Sequence, residues 1–597
     1  MPDDKRAPAL DSSFLDRYAT KLAAAALILM GALLSHAALL ESPTIDEPNH
    51  VMRGLAFLST GDARLSVAHP PLGNLAQGVP GYLLDRPIDV ESLRGWDNGW
   101  NVGSVLQSYF ARDYERARTA LVGGRLITAL LTVLLGVYLY FFSLRWGRKR
   151  ALYTVLLYSV FPLFLAHGHL VTTDVPLALA STIAVGEFVR WAESRRWLRF
   201  ATFSLAVGAA MSIKFSALFL IPALGLCGLV LTLRGGGPLE GLALKTRLLR
   251  LGRDLALVTL VAIFVVNASY GFQRTFWSVE RTLEHPEPVN WVTQRYKNEM
   301  LEQLSSLPTL PSWLPIPLPY PWVYGLHSIS AQNERGHAGW FMGSREPTPL
   351  YFPIMSVVKT PLAVLVLLGA ALWLAFRRRR WPGANAELAL WVAPLLLFVL
   401  SLFSDIQIGV RHLMPMFPFV LMGAGWALAT ISIRLPVVAA SIFALAAAEG
   451  VLSAPTYLGH FSWAIGGPKV GHRINMVAED WGQDIRALGE YANEHELEPL
   501  YYQPYGRTAS RELRRFGVKF QTFSCRTRLT KPAWVAIHGN QVVRWKRDCG
   551  PIAQDRIPDA KVNEHIFLYW VDPKKGAAPP RSDHDEEDHD HTAEMAP

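Results

Sequence analysis

The chain has 597 residues, of which 51% are hydrophobic and only 18% charged, with 19 Trp and a formal net charge of +9. A soluble domain carries roughly a quarter charged residues, so the deficit points to a membrane protein. The basic residues cluster in short stretches between apolar runs and form no aromatic-interleaved face, which excludes nucleic acid as a partner.

Residues 1–21 are polar and carry Lys5, Arg6, Arg17 and Lys21, which predicts a cytoplasmic N-terminus. The run from Leu22 to Leu40 is too long for a cleavable signal, and no small-residue cleavage site precedes Glu41, so it is read as a retained first span. It would deliver Thr44-Ile45-Asp46-Glu47-Pro48-Asn49-His50 to the outer face. Adjacent carboxylates where a chain leaves a bilayer are costly if buried without partners, which marks Asp46 and Glu47 for function; the plain alternative is a solvated acidic turn stopped by Pro48. An outer loop, 41–118, follows, with His69-Pro70-Pro71-Leu72-Gly73 and an amphipathic stretch from Tyr109 to Thr119 suited to the membrane interface.

Further spans are expected over 119–142, 151–167, 175–190, 200–212, 216–233 and 255–271, then, after a second outer loop at 272–350, over 353–376, 387–403, 413–431 and 436–453. The Pro-rich run from Leu307 to Pro321 within that loop cannot form a regular helix. Eleven spans place every dense basic cluster, including Arg145 to Arg150, Arg190 to Arg199 and Arg377 to Arg380, on one side. The transmembrane region then runs over 22–454, and residues 455–572 read as a small extracytoplasmic α/β domain. Helices are expected over Trp481 to His495 and Arg507 to Phe516, and strands over 500–503, 518–523, 534–538 and 565–571. Cys525 and Cys549 lie in this domain and would form a disulfide in an oxidising compartment, whereas Cys227 lies within a span. Residues 573–597 are disordered by composition, and their run Asp583 to His591 is a weak metal trap or simply a solvated tail.

Under this topology Asp46, Glu47, Asp174, Lys214, Arg411 and His412 meet at the outer face. Carboxylates and cations brought to one depth by separate helices suit a phosphate-bearing substrate and a nucleophile that must lose a proton. Lys214 and Arg411 would neutralise a phosphate, or else snorkel to the headgroups. Arg125 would pair with an acid or touch that phosphate. His69 would shape its loop or act as a ligand. Trp481, Asp480 and Asp484 are read as fold determinants of the outer domain.

Asp46-Glu47, His69-Pro70-Pro71-Leu72-Gly73 and Thr172-Thr173-Asp174 together resemble the protein O-mannosyltransferase and aminoarabinose-transferase branch of the GT-C glycosyltransferases. Gly208 to Lys214, Gly409-Val410-Arg411-His412 and Asp480-Trp481-Gly482-Gln483-Asp484 fit bacterial members of that branch, and the resemblance spans roughly residues 20–495. It implies a polytopic α-helical membrane protein of GT-C type, carrying a polyprenyl-phosphate sugar as donor. The acceptor would be a protein hydroxyl, a lipid or a cell-envelope glycan, reached from the outer face of a bacterial plasma or inner membrane. Asp46 matches the acidic residue taken as catalytic base, with Glu47 orienting or tuning it, and Asp174 the second acidic position. No tightly bound cofactor is implied. A divalent cation is left open, with Asp46, Asp174 and His69 as its ligands. An aromatic often stands near position 50 in the family; His50 stands here, so the acceptor class is open. The rival reading is a transporter of a polar or anionic solute, although the charged groups sit at span ends and not at the midplane.

Overall fold

The computed structural model describes residues 12–84, 88–96, 102–278, 280–281, 311–377, 386–475, 480–545, 548–553 and 556–574. The first eleven residues, the start of the Pro-rich run, Arg378 to Arg380 and the acidic, His-bearing tail lie outside the described residues.

Helix α1 (Ser12–Leu40) holds an uninterrupted Ala- and Leu-rich run, and Pro43 lies just beyond its end. Helix α2 (Glu47–Thr60) starts with Asp46 at its N-cap and Pro48 in its first turn, and stops at Gly61, whose φ of +70° suits only a residue without Cβ. Helix α3 (Leu72–Leu84) follows Pro70-Pro71 and crosses α2 at Gly54 and Gly78. Helix α4 (Val102–Arg112) ends at Asp113, whose carboxylate accepts from Arg116 N at 3.0 Å and starts α5 (Tyr114–Ser143). The Tyr109–Thr119 stretch is therefore not one interfacial helix. Asp113 divides it, and Tyr109 and Phe110 are buried in a core shared by α2, α4 and α5.

Helices α6 (Arg148–Ser159), α7 (Pro162–His167), α8 (Asp174–Ser194), α9 (Trp197–Met211), α10 (Leu220–Arg234) and α11 (Leu244–Ser269) follow. Each of the eleven expected spans falls on helical structure, but five helices are long and apolar enough to cross a bilayer by themselves, or six if one bent pair is counted as a span. The third expected span breaks before Pro162. The eighth is bent by 110° between Tyr351–Val358 and Leu362–Arg377, because Pro361 has no N–H to donate and restricts Thr360 before it. Ile28, Leu29, Phe141, Phe264, Trp373 and Phe376 are exposed large apolar side chains on these helices, as a lipid-facing surface requires.

Among the described residues, ion pairs link basic side chains of the 145–150 and 190–199 clusters to neighbouring helices. Arg145 pairs with Glu193 at 2.5 Å, Arg195 with Asp254 at 3.0 Å and Arg199 with Glu187 at 2.8 Å, tying together the ends of α5, α8, α9 and α11. Along α8, which starts at Asp174, Glu187 and Glu193 stand about 20 and 28 Å from that residue.

A two-residue parallel ladder joins β1 (His337–Ala338) to β2 (Ile406–Gln407) just before Arg411. The C-terminal region carries a five-stranded sheet of order β4-β3-β5-β7-β6, built from β3 (Leu500–Gln503), β4 (Gln521–Thr522), β5 (Ala533–His538), β6 (Ala560–Val562) and β7 (Ile566–Val571). β3 pairs in parallel with β4 and β5, and β7 pairs antiparallel with β5 and β6. The helices Ile485–Glu494 and Ala509–Arg515 cover one face. On the other face Cys525 and Cys549 are joined as a disulfide beside Val535, Phe567 and Tyr569.

Candidate active site

Chain segments distant in sequence converge where α2, α3, α8 and the α9–α10 turn meet. Helix α3 is held there by its polar contacts: Gln77 donates to Thr172 O at 2.8 Å and to Thr128 Oγ1 at 2.9 Å. Leu72 N donates to Ser212 O at 2.9 Å, which brings the His69-Pro70-Pro71 loop beside the turn carrying Lys214.

Asp174 opens α8 and is buried. Lys214 Nζ donates to its Oδ1 at 2.7 Å, and Arg411 Nη1 lies 3.9 Å from its Oδ2. Arg411 also donates from Nη2 to Asp46 Oδ2 at 3.1 Å. One guanidinium therefore bridges two carboxylates. The two differ in access: the Asp46 side chain is 35% exposed and that of Asp174 3%. Arg411 Nε is buried and has no hydrogen-bond partner among the described residues. Trp481, ahead of the C-terminal sheet, lies with its ring centroid 4.1 Å from the Arg411 guanidinium carbon. His412 stacks at 6.3 Å on Phe352, within electrostatic reach of Lys214, Arg411 and Asp174.

His50, Arg53 and His69 complete the cluster. His50 Nδ1–H donates to Asn74 Oδ1 at 2.9 Å, and its ring lies 5.1 Å from that of His69. Burial, then the Arg53 charge, push His50 down to about 4 despite Asp46 nearby. Burial, then His50, Arg53 and Lys214, hold His69 well below the ordinary imidazole range. Both rings are thus neutral near pH 7. Burial also lowers Arg53 to about 10. His50 and Arg53 stand four and seven residues after Asp46 on α2, one helical face, which was the sequence signal for them.

Glu47 and Arg125 do not join this cluster. All five N–H donors of Arg125 are used: Nε donates to Glu47 Oε1 at 2.7 Å, Nη2 to Glu47 Oε2 at 2.5 Å and to Ser42 O at 2.9 Å, and Nη1 to Ala38 O at 3.0 Å and Glu41 O at 2.8 Å. Glu47 takes two further bonds, from Thr44 N at 3.0 Å and Val171 N at 2.9 Å. Burial alone would raise the Glu47 carboxyl, but the Arg125 charge and these bonds hold it below its usual value. With every donor and lone pair occupied, Arg125 has nothing left for a phosphate and Glu47 nothing for an acceptor. Arg125 thus takes the acid-pairing alternative, and Glu47, expected to orient or tune Asp46, forms with it a buried anchor joining the end of α1, α2 and α5.

Among the described residues no three His, Cys, Asp or Glu side chains gather as a metal site. Asp46, Asp174 and His69 are not assembled as ligands among the described residues, since Arg411 bridges the two carboxylates and Lys214 pairs with Asp174. Asp480 accepts from His538 Nδ1 at 3.0 Å, and Asp484 pairs with His565 at 2.5 Å, both within the C-terminal sheet region.

Residues 118–264 match the family model described as dolichyl-phosphate-mannose-protein mannosyltransferase. No curated protein matches the chain. Among solved structures the chain is similar to ArnT from Cupriavidus metallidurans bound to undecaprenyl phosphate, at 15% identity and a TM-score of 0.44, covering 95% of this chain and 99% of that one. It is similar also to the apo state of that protein, at 15% identity and a TM-score of 0.46, covering 92% and 97%. Over residues 118–264 the family match favours a glycosyltransferase over a transporter.

Proposed function

We propose that this glycosyltransferase moves a sugar from a polyprenyl-phosphate donor to a hydroxyl acceptor at the extracytoplasmic face, with Asp46 as general base. The observation that carries the reading is the pairing of an accessible carboxylate with a buried one through Arg411. In the transfer the acceptor oxygen forms a bond to the anomeric carbon, and its proton passes to Asp46. The anomeric carbon's bond to the phosphate oxygen breaks, with the electron pair leaving on the phosphate. Charge grows on that phosphate in the transition state, where Lys214 and Arg411 would neutralise it. Asp174 keeps both cations in place before the donor arrives.

The test is Asp46→Asn, assayed in inner membranes with a panel of radiolabelled polyprenyl-phosphate sugars. The amide keeps the shape of the carboxylate but cannot take the proton, so transfer should fall about 10²–10⁴-fold with the protein still inserted. Transfer at the wild-type rate would remove Asp46 from the role of base.

A further inference from the structure

The outer domain enters the site through residues 480–484. Ile45 N donates to Trp481 O at 2.9 Å and Ser42 N to Gln483 O at 3.0 Å, so this segment lies along the one that leads into Asp46. Its turn depends on Gly482, which has a φ of +86°. The segment is tied to the sheet. Asp480 accepts from His538 Nδ1 at 3.0 Å, and His538 Nε2 meets the Tyr502 hydroxyl at 2.9 Å, all three side chains being fully buried. Asn540 Nδ2 donates to Asp480 O at 3.3 Å and to the Tyr505 hydroxyl at 2.7 Å. Trp481, immediately after this anchor, is 3% exposed and projects out of its own domain. Its ring meets the Arg411 guanidinium at 4.1 Å and the His167 ring at 5.4 Å.

We propose that Trp481 is a positioning residue of the transfer site: the outer domain clamps Arg411 against Asp46 and Asp174 through the indole face. This rests on the glycosyl-transfer reading given above. A guanidinium with an unpaired Nε and two carboxylates on one side has several orientations open to it. An aromatic face on the other side, attracted by the ring quadrupole, selects the one that bridges both acids. The sheet therefore acts on the chemistry at a distance, through Asp480 and the residue that follows it.

Trp481→Phe keeps an aromatic face of weaker quadrupole, and Trp481→Leu removes it. In the full-length protein in detergent, kcat/KM for the donor should fall about 3-fold in the first and about 30-fold in the second, the latter being roughly 2 kcal/mol for a desolvated cation–π contact. A double-mutant cycle separates positioning from folding: Trp481→Leu should cost nothing further in an Arg411→Ala background. A second readout needs no substrate. The rate at which an arginine-selective dicarbonyl modifies Arg411, read by peptide mass, should rise about tenfold or more in Trp481→Leu, and by less in Trp481→Phe. Unchanged Arg411 labelling in both variants, or losses that add to those of Arg411→Ala, would overturn the clamp. If the wild-type protein turns over no polyprenyl-phosphate sugar, the transfer reading fails, and the labelling rates alone decide the clamp.

Discussion

At the residue scale, two acids adjacent in sequence have opposite fates. Asp46 faces the site half-exposed, whereas Glu47 turns into the protein and is closed by Arg125 and two backbone amides. Replacing Glu47 by Gln should therefore not act as a mild catalytic lesion. It leaves the buried Arg125 charge without its counter-ion, which costs about 3–5 kcal/mol, so a sharp loss of folded, inserted protein is expected on size-exclusion chromatography. His50 supplies a pH test. Its folded value of about 4 lies below the ordinary 6.5. Above pH 6.5 the ring is neutral whether the chain is folded or not. Between 6.5 and 4 only the unfolded chain takes up the proton, so stability falls as pH falls through that window, by roughly 3 kcal/mol in total. Thermal unfolding in detergent at pH 7 and pH 4.5 should show this loss, and His50→Gln should make it smaller.

At the element scale, the site depends on how closely α2 and α3 approach. A Cβ on Gly54 would stand 1.9 Å from Asn74 O, and one on Gly78 would stand 2.7 Å from Gly54 C. Both obstacles are backbone, which cannot swing away as a flexible side chain would. Gly54→Ala should force the helices apart, break the bond from His50 to Asn74 and tilt Asp46 away from Arg411. A stability loss of about 1–3 kcal/mol is expected, with sugar transfer falling more than the folded fraction does. The bend at Pro361 is likewise decisive, since it turns Lys359 inward, where Nζ donates to Leu458 O at 3.2 Å.

At the scale of the whole molecule, the polar cluster and the basic loops occupy opposite ends of α8, and the disulfide-bearing sheet packs at the polar end. This arrangement predicts that the sheet domain faces an oxidising compartment. Alkylation of the intact protein without reductant should leave Cys525 and Cys549 unmodified, and ready labelling of both would contradict it. Their bond closes a loop of 24 residues, and its loss should cost about 2–5 kcal/mol.

Local patterns carry the parts of this protein that local physics controls. Apolar runs bounded by Arg and Lys mark the helices, because hydrocarbon and headgroups sort residues by type alone. Alternation and turn residues mark β3, β5 and β7 to within a residue or two, while β6, three residues long, offers no such pattern. The acidic position Asp46, with Asp174, Lys214 and Arg411, is legible because polar groups at span ends are costly without a purpose. That Glu47 turns away from the site is not legible, since it depends on Arg125 reaching back from α5 across 78 residues. Nor is Trp481 over Arg411, nor the pairing of His50 with His69. Those contacts join segments distant in sequence, and only packing of the whole chain sets their distances.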